Sequence, residues 1–146
     1  MIDAPAVLFP PHYAYTSGTT KILRENFAEL YQEVMQLYPI CREDLVVDVG
    51  SNDGTLLSNF HAGGHRVFGV EPTDTHQIAL DRGIETLNSF FGFEAATEVV
   101  KRNGHCKIVT ATNVFAHIEN VHESVESILA MRDHDGIFIS ESHYLL

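Results

Sequence analysis

Two rhythms of apolar residues alternate along the chain. Short aliphatic runs occur at Leu45–Val49, Arg66–Val70, Gly83–Leu87, Cys106–Ala111 and Ile137–Ser140, the lengths and compositions of buried strands. Between them, apolar positions return every three or four residues, the period of an amphipathic helix. The clearest such stripe is Leu23, Phe27, Leu30, Val34 and Leu37, which predicts a helix from Lys21 to Tyr38 that packs on the sheet and stops at Pro39. Further helices are expected after Gly54, ended by Gly63-Gly64, and over about 75–82, 93–102 and 122–132, the last followed by a turn at Asp133-His134-Asp135-Gly136. Five strands alternating with helices predict a doubly wound α/β fold with a mostly parallel sheet. Its crossovers are right-handed, and its ligand crevice lies at the carboxyl ends of the strands. Residues 1–19, with Pro5, Pro10 and Pro11 and no lasting period, read as an extended arm, and residues 20–146 as one domain.

The polar segments that end these strands carry the candidate chemistry. After the first strand comes Asp48-Val49-Gly50-Ser51-Asn52-Asp53-Gly54, in which Gly50 and Gly54 allow a tight turn and close approach to a ligand while Asp48 and Asp53 supply acceptors. The dinucleotide pattern G-x-G-x-x-G fails here, because Asn52 stands at the middle glycine and the third position is Thr55 or Leu56. An acidic loop repels a pyrophosphate but accepts hydrogen bonds from an ammonium group, which favours a phosphate-free nucleoside such as S-adenosylmethionine over NAD. The alternative is a plain glycine turn between strand and helix. Glu71, followed by Pro72, ends the second strand seventeen residues beyond Gly54, where it would accept both hydroxyls of a ribose. Asn88-Ser89-Phe90-Phe91 ends the third strand and suits the edge and face of an adenine, although either ring could equally be core. The segment Tyr13-Ala14-Tyr15-Thr16-Ser17-Gly18-Thr19 reads either as a binding loop or as a helix entry capped by Thr19 or Thr20.

Composition narrows the partners. The 146 residues are 45% hydrophobic and 20% charged, which is ordinary for a globular domain, and the formal net charge of -11 disfavours a nucleic-acid partner. Cys41 and Cys106 belong to no C-x-x-C pair and read as buried thiols, so no metal site is expected. The nine histidines are scattered and read mostly as surface residues. Neither a charged-then-apolar leader nor a run of eighteen apolar residues is seen, so the expected setting is cytoplasmic, away from membranes.

Three blocks in order, Asp48 to Gly54, Gly69-Val70-Glu71-Pro72 and Ala111-Thr112-Asn113-Val114-Phe115-Ala116-His117-Ile118, resemble the class I methyltransferases that use S-adenosylmethionine. With Tyr13-x-Tyr15-x-Ser17-Gly18-Thr19 and the following Leu23-Arg24-Glu25-Asn26-Phe27, the chain from about residue 12 is similar to the sugar C-methyltransferases of deoxysugar biosynthesis. The resemblance implies a Rossmann-like fold of class I methyltransferase type. It also implies that Asp48, Gly50, Asn52 and Gly54 surround the methionyl part, that Glu71 holds the ribose, and that Ser89 and Phe90 border the adenine. Asn113 and Phe115 would line the donor site, with Ser17, Gly18, Asp53 and Pro72 also assigned to cofactor binding, and His117 with Tyr13 or Tyr15 would face the acceptor. The implied reaction is methylation of a carbon beside the ketone of a nucleotide-linked 4-keto sugar, through a base-generated enolate. The family's zinc-binding module, C-terminal domain and His-Glu-His segment after the fifth strand have no counterpart in these 146 residues. The expectation is therefore a truncated domain that binds its cofactor with little turnover and associates as a homo-oligomer through an open sheet edge.

Overall fold

The computed structural model describes residues 21–112 and 121–141. Five strands form one parallel sheet: β1 (Leu45–Val49), β2 (Arg66–Val70), β3 (Thr86–Leu87), β4 (Cys106–Thr112) and β5 (Arg132–Glu141). Five helices connect or precede them: α1 (Lys21–Leu37), α2 (Thr55–Ala62), α3 (His76–Asp81), α4 (Phe93–Asn103) and α5 (Val121–Met131). The spatial order is β3-β2-β1-β4-β5, so the strand with the densest aliphatic run, β1, lies at the centre and every one of its residues is buried. The order reverses between β1 and β4, which opens a crevice at the carboxyl ends of the strands.

The two-residue period of a strand sorts the core onto two faces. Leu45, Val47 and Val49 join Phe68, Val70, Val109 and Ala111 against Ala95, Ala96 and Val99 of α4 and Ile128 and Met131 of α5. Val46 and Ile108 face the other way, against Phe27 and Val34 of α1, Leu56, Leu57 and Phe60 of α2, Ala79 and Ile84. Each Val, Leu, Ile, Phe or Met among these contributes about 1.5–3 kcal/mol on burial, and both faces are closed by helices, as the aliphatic runs predict.

Four local expectations are corrected. Leu37, the last residue of the predicted stripe, is 67% exposed; α1 ends there, and the adjoining core contact is made by Tyr38 and Ile40. The third strand pairs only at Thr86 and Leu87. Gly83 takes φ +85° and Ile84 donates its N–H to the Ala79 carbonyl at 2.9 Å, so these residues terminate α3 instead of extending the strand. The expected turn before the last strand lies within β5, whose register jumps from Cys106↔Arg132 to Ile108↔Ile137. The extra residues are gathered by Arg132, which donates to the carbonyls of Asp133 and Gly136, and by a 2.7 Å Lys107–Asp135 pair. Finally, Cys106 is buried as expected but Cys41 is exposed, in a turn where its N–H donates to Asp44 Oδ2 at 2.7 Å.

Among the described residues, β5 lies at one edge of the sheet and pairs with β4 alone. Gly69 in β2 is required for a different reason from the turn glycines. A Cβ there would run into Ser51 Oγ, with Ser51 Cβ at 2.9 Å, so the loop after β1 lies directly on the β2 backbone. Gly69→Ala should cost about 1–3 kcal/mol of stability in urea denaturation, the usual range for overpacking, and Ser51→Gly should restore most of it in the double variant. An unchanged midpoint in Gly69→Ala would show that the two segments are not in tight contact.

Candidate functional site

The loop from Gly50 to Gly54 is held as a continuation of the sheet. Gly50 and Ser51 both donate their N–H groups to the Val70 carbonyl, at 2.8 and 3.2 Å, and Gly54 closes the turn onto the Ser51 carbonyl at 3.0 Å. Gly50, Asn52 and Gly54 take φ of +75°, +57° and +81°, and Asn52 is the one non-glycine residue with positive φ among those described. A Cβ on Gly54 would meet Ala79 Cβ at 3.1 Å and Ile84 Cγ1 at 3.4 Å, so this glycine serves close packing against α3 and the segment after it.

Asp53 is used inside the protein. Its Oδ1 accepts from Thr55 Oγ1 at 2.7 Å and from the Thr55 N–H at 3.2 Å, at the start of α2. Arg82 donates to the Asp53 carbonyl and to Thr55 Oγ1, both at 3.2 Å, and lies 3.8 Å from Asp53 Oδ2. The protein's own carboxylate therefore sits at the helix start, where a dinucleotide-binding loop offers free amides to a pyrophosphate.

Glu71 joins two loops. It is 5% exposed, and its Oε1 accepts the Asn52 N–H at 2.7 Å, while its Oε2 accepts both the N–H (3.0 Å) and the hydroxyl (2.6 Å) of Thr73. Thr73 Oγ1 is in turn 2.7 Å from Thr75 Oγ1. A carboxylate only accepts, so the Thr73 proton goes to Glu71 and the Thr75 hydroxyl donates to Thr73. Asn88, just past β3, donates Nδ2 to the Glu71 carbonyl at 2.9 Å and binds the third strand end to the same network. Asn88 was expected from sequence at the adenine edge and is found here tying strand ends together, whereas Thr73 and Thr75 were not among the site residues expected from sequence. The signal for the threonines was there, a hydroxyl two residues beyond a strand-end carboxylate, the spacing of a local side-chain turn.

Asp48 lies below this loop. By the strand period it shares the face of Val46, and it is 2% exposed with Thr110 Oγ1 donating to its Oδ1 at 2.8 Å. Burial pushes its carboxyl up to about 7; the Thr110 hydrogen bond pulls it down, and the charge of Glu71 adds to the rise. Two buried side-chain atoms among those described have no hydrogen-bond partner, Ser51 Oγ and Asn52 Oδ1, both in this loop. At the third strand end Phe90 is 42% exposed and Ser89 donates to the Phe90 carbonyl at 2.8 Å, whereas Phe91 packs on the α4 and α5 core. The structure thus brings Gly50, Asn52, Glu71 and Pro72 together and ties Asn88, next to Ser89 and Phe90, to them. Tyr13, Tyr15, Ser17, Gly18, Asn113, Phe115 and His117 lie outside the described residues.

The arrangement suits a nucleoside that brings donors and positive charge. It offers a carboxylate, an unsatisfied amide oxygen and a buried carboxyl group, and its helix start is closed to phosphate. S-adenosylmethionine has the matching donor set in its ribose hydroxyls and ammonium group, so the residues present fit this group.

Comparison with known proteins identifies the family. Residues 22–144 match the family model described as a methyltransferase domain. The chain is 34% identical over 143 residues to the C-methyltransferase NovU of Streptomyces niveus, an alignment covering 97% of this chain and 34% of NovU. It therefore spans about a third of the length of that curated relative. Among solved structures, DesVI of Streptomyces venezuelae superposes with a TM-score of 0.64 at 16% identity, covering 89% of this chain and 58% of DesVI. CalS10, an amino pentose methyltransferase of Micromonospora echinaspora solved with S-adenosylmethionine bound, gives 0.60 at 18% identity, covering 82% and 50%. At these identities the structural likeness shows the fold.

Asp48 yields a pH prediction. In the unfolded chain its proton is lost near pH 4, and in the folded chain near 7. Between these values the folded state holds more protons, so Asp48 makes stability fall as pH rises through that window and level off above it. Asp48→Asn should remove this component. Measured by denaturant titration, the stability of the variant relative to the natural chain should improve by on the order of 3 kcal/mol between pH 4 and pH 8. A constant difference across that range would mean that Asp48 ionises at its ordinary pH.

Proposed function

The chain belongs to the methyltransferase-domain family, and we propose that it is the S-adenosylmethionine-binding part of a C-methyltransferase acting on a nucleotide-linked 4-keto deoxysugar. The observation that carries the cofactor reading is the buried Glu71 carboxylate, bonded to the Asn52 loop at the carboxyl ends of the two central strands. The 34% identity to a C-methyltransferase supports transfer to carbon, and the fold shared with an amino pentose methyltransferase is consistent with a sugar acceptor.

In this reading Glu71, bonded to the Asn52 loop, holds the ribose, and Phe90 covers one face of the adenine. Asp48 and the turn at Gly50 border the methionyl part, with Gly54 and Asp53 keeping that turn in shape. When bound, S-adenosylmethionine supplies an electrophilic methyl group on a sulfonium. What the protein must add is a base for the proton on the carbon beside the ketone, a hydrogen-bond donor for the enolate oxygen, and a fixed orientation of the carbon. His117 and one of Tyr13 or Tyr15 are the groups we assign to the acceptor side. General-base catalysis contributes roughly 10²–10⁴-fold, so the presence or absence of an effective base decides whether methyl transfer can be measured.

Titration calorimetry with S-adenosylmethionine and its demethylated product should give saturable one-site binding, and NAD should give none. Glu71→Ala should weaken that binding by about 1.5–3 kcal/mol, the range for a hydrogen bond to a charged group, and should also lower the unfolding midpoint, since Asn52 and Thr73 lose their common acceptor. Binding of NAD alone by the folded chain would refute the cofactor reading. For the acceptor, the expected result is label transfer from methyl-labelled S-adenosylmethionine to a 4-keto sugar nucleotide and not to its 4-hydroxy counterpart; equal labelling of both would overturn the enolate route.

A further inference from the structure

A strand-end carboxylate could take both hydroxyls of a ribose diol only if both of its oxygens were open. In this protein they are not equivalent. Glu71 Oε2 already accepts two donors from Thr73, and the Thr75 hydroxyl behind Thr73 directs that proton toward the carboxylate. Among the described residues, Oε1 accepts one donor, the Asn52 N–H. A carboxylate oxygen has about two lone-pair positions, so Oε2 is full and Oε1 has room for one more donor.

A vicinal diol brings two donors, and its second hydroxyl needs a different acceptor. The residue that caps Oε1 supplies one. Asn52 Oδ1 is buried and has no hydrogen-bond partner among the described residues, a state that costs about 1–3 kcal/mol until a donor arrives. The same residue holds a left-handed backbone at φ +57°, which asparagine adopts more readily than most residues and glycine adopts without strain. The Oδ1 atom is itself buried in the free chain, so a ligand hydroxyl reaches it by a turn of the carboxamide.

Resting on the cofactor reading above, we propose that the ribose diol is divided between two residues, Glu71 Oε1 accepting one hydroxyl and Asn52 Oδ1 the other. Asn52 is then a specificity-determining residue that reads the presence of the second hydroxyl, rather than a wall of the methionyl pocket. The buried acceptor is kept at a cost to the free protein because the ligand satisfies it. Thr73 and Thr75 act as positioning residues, occupying Oε2 so that Oε1 is the oxygen presented.

The variant that tests this is Asn52→Gly, which suits the backbone and keeps the N–H to Glu71 while deleting the carboxamide. Binding of S-adenosylhomocysteine and of its 2′,3′-dideoxyribose analogue is measured calorimetrically on the natural chain and the variant, with thermal unfolding alongside. Asn52→Gly should weaken S-adenosylhomocysteine about fivefold to tenfold and the dideoxy analogue by less than about twofold, with no loss of thermal stability. Asn52→Asp, which keeps an acceptor and tolerates the same backbone, should retain the preference for the diol. Equal weakening of both ligands, an unchanged affinity for S-adenosylhomocysteine in Asn52→Gly, or loss of the diol preference in Asn52→Asp would overturn the proposal while leaving the cofactor reading intact. Failure of the natural chain to bind S-adenosylhomocysteine at all would overturn both.

Discussion

A carboxylate that is only 5% exposed has to be satisfied from within, and Glu71 is satisfied by donors from two different loops. That constraint shapes the carboxyl-end surface of the sheet. The Asn52 N–H can reach Oε1 because the preceding Gly50 and Ser51 are pinned to the Val70 carbonyl, one residue before Glu71. Thr73 reaches Oε2 from two residues further along, through both its N–H and its hydroxyl. Asn88 then fastens the end of β3 to the Glu71 carbonyl. Three strand ends are therefore one hydrogen-bonded unit, and the geometry at any one of them depends on the others.

The same unit has a definite electrostatic character. Asp48, Asp53 and Glu71 are all buried within a few residues of the strand ends, in a chain whose net charge is -11. Asp53 is committed to the start of α2 and Arg82, Glu71 to the two loops, and Asp48 to Thr110, in surroundings that hold its proton to about 7. What this arrangement leaves for a ligand is acceptor capacity, at Glu71 Oε1 and Asn52 Oδ1. Selection for a phosphate-free, cationic nucleoside follows from that inventory, since each extra negative charge on a ligand would have to enter beside buried carboxylates.

Much of the architecture was legible because it rests on periodicity. The run Leu45–Val49 is buried on both faces and Arg66–Val70 is buried from Phe68 onward, as their aliphatic character predicts, and the helical stripes between them required parallel crossovers. Legibility failed where a residue's role depended on a distant partner. Gly83-Ile84 reads as the start of a strand, yet the Ala79 carbonyl captures the Ile84 N–H and makes the segment a helix terminus. Asp133-His134-Asp135-Gly136 reads as a turn, but Arg132 and the Lys107–Asp135 pair gather it as an irregularity within β5. Cys41 reads as a buried thiol because of its residue type, although its turn faces solvent.

The candidate site divides in the same way. Sequence alone determined which residues stand at the strand ends, since the end of an apolar run is a local property, and so Gly50, Asn52, Gly54, Glu71 and Phe90 were identified by position. Tertiary structure decided what each of them does. Asp53 turned inward to its own helix, Gly54 became a packing contact for Ala79, and Phe91 went to the core while Phe90 stayed exposed. Thr73 and Thr75 took one oxygen of Glu71, and Asn52 was left with an acceptor that no described residue fills. The physical reason is that burial follows the short-range alternation of side chains, whereas a hydrogen bond needs two groups within about 3 Å, and only the folded chain brings residues 52 and 71 that close.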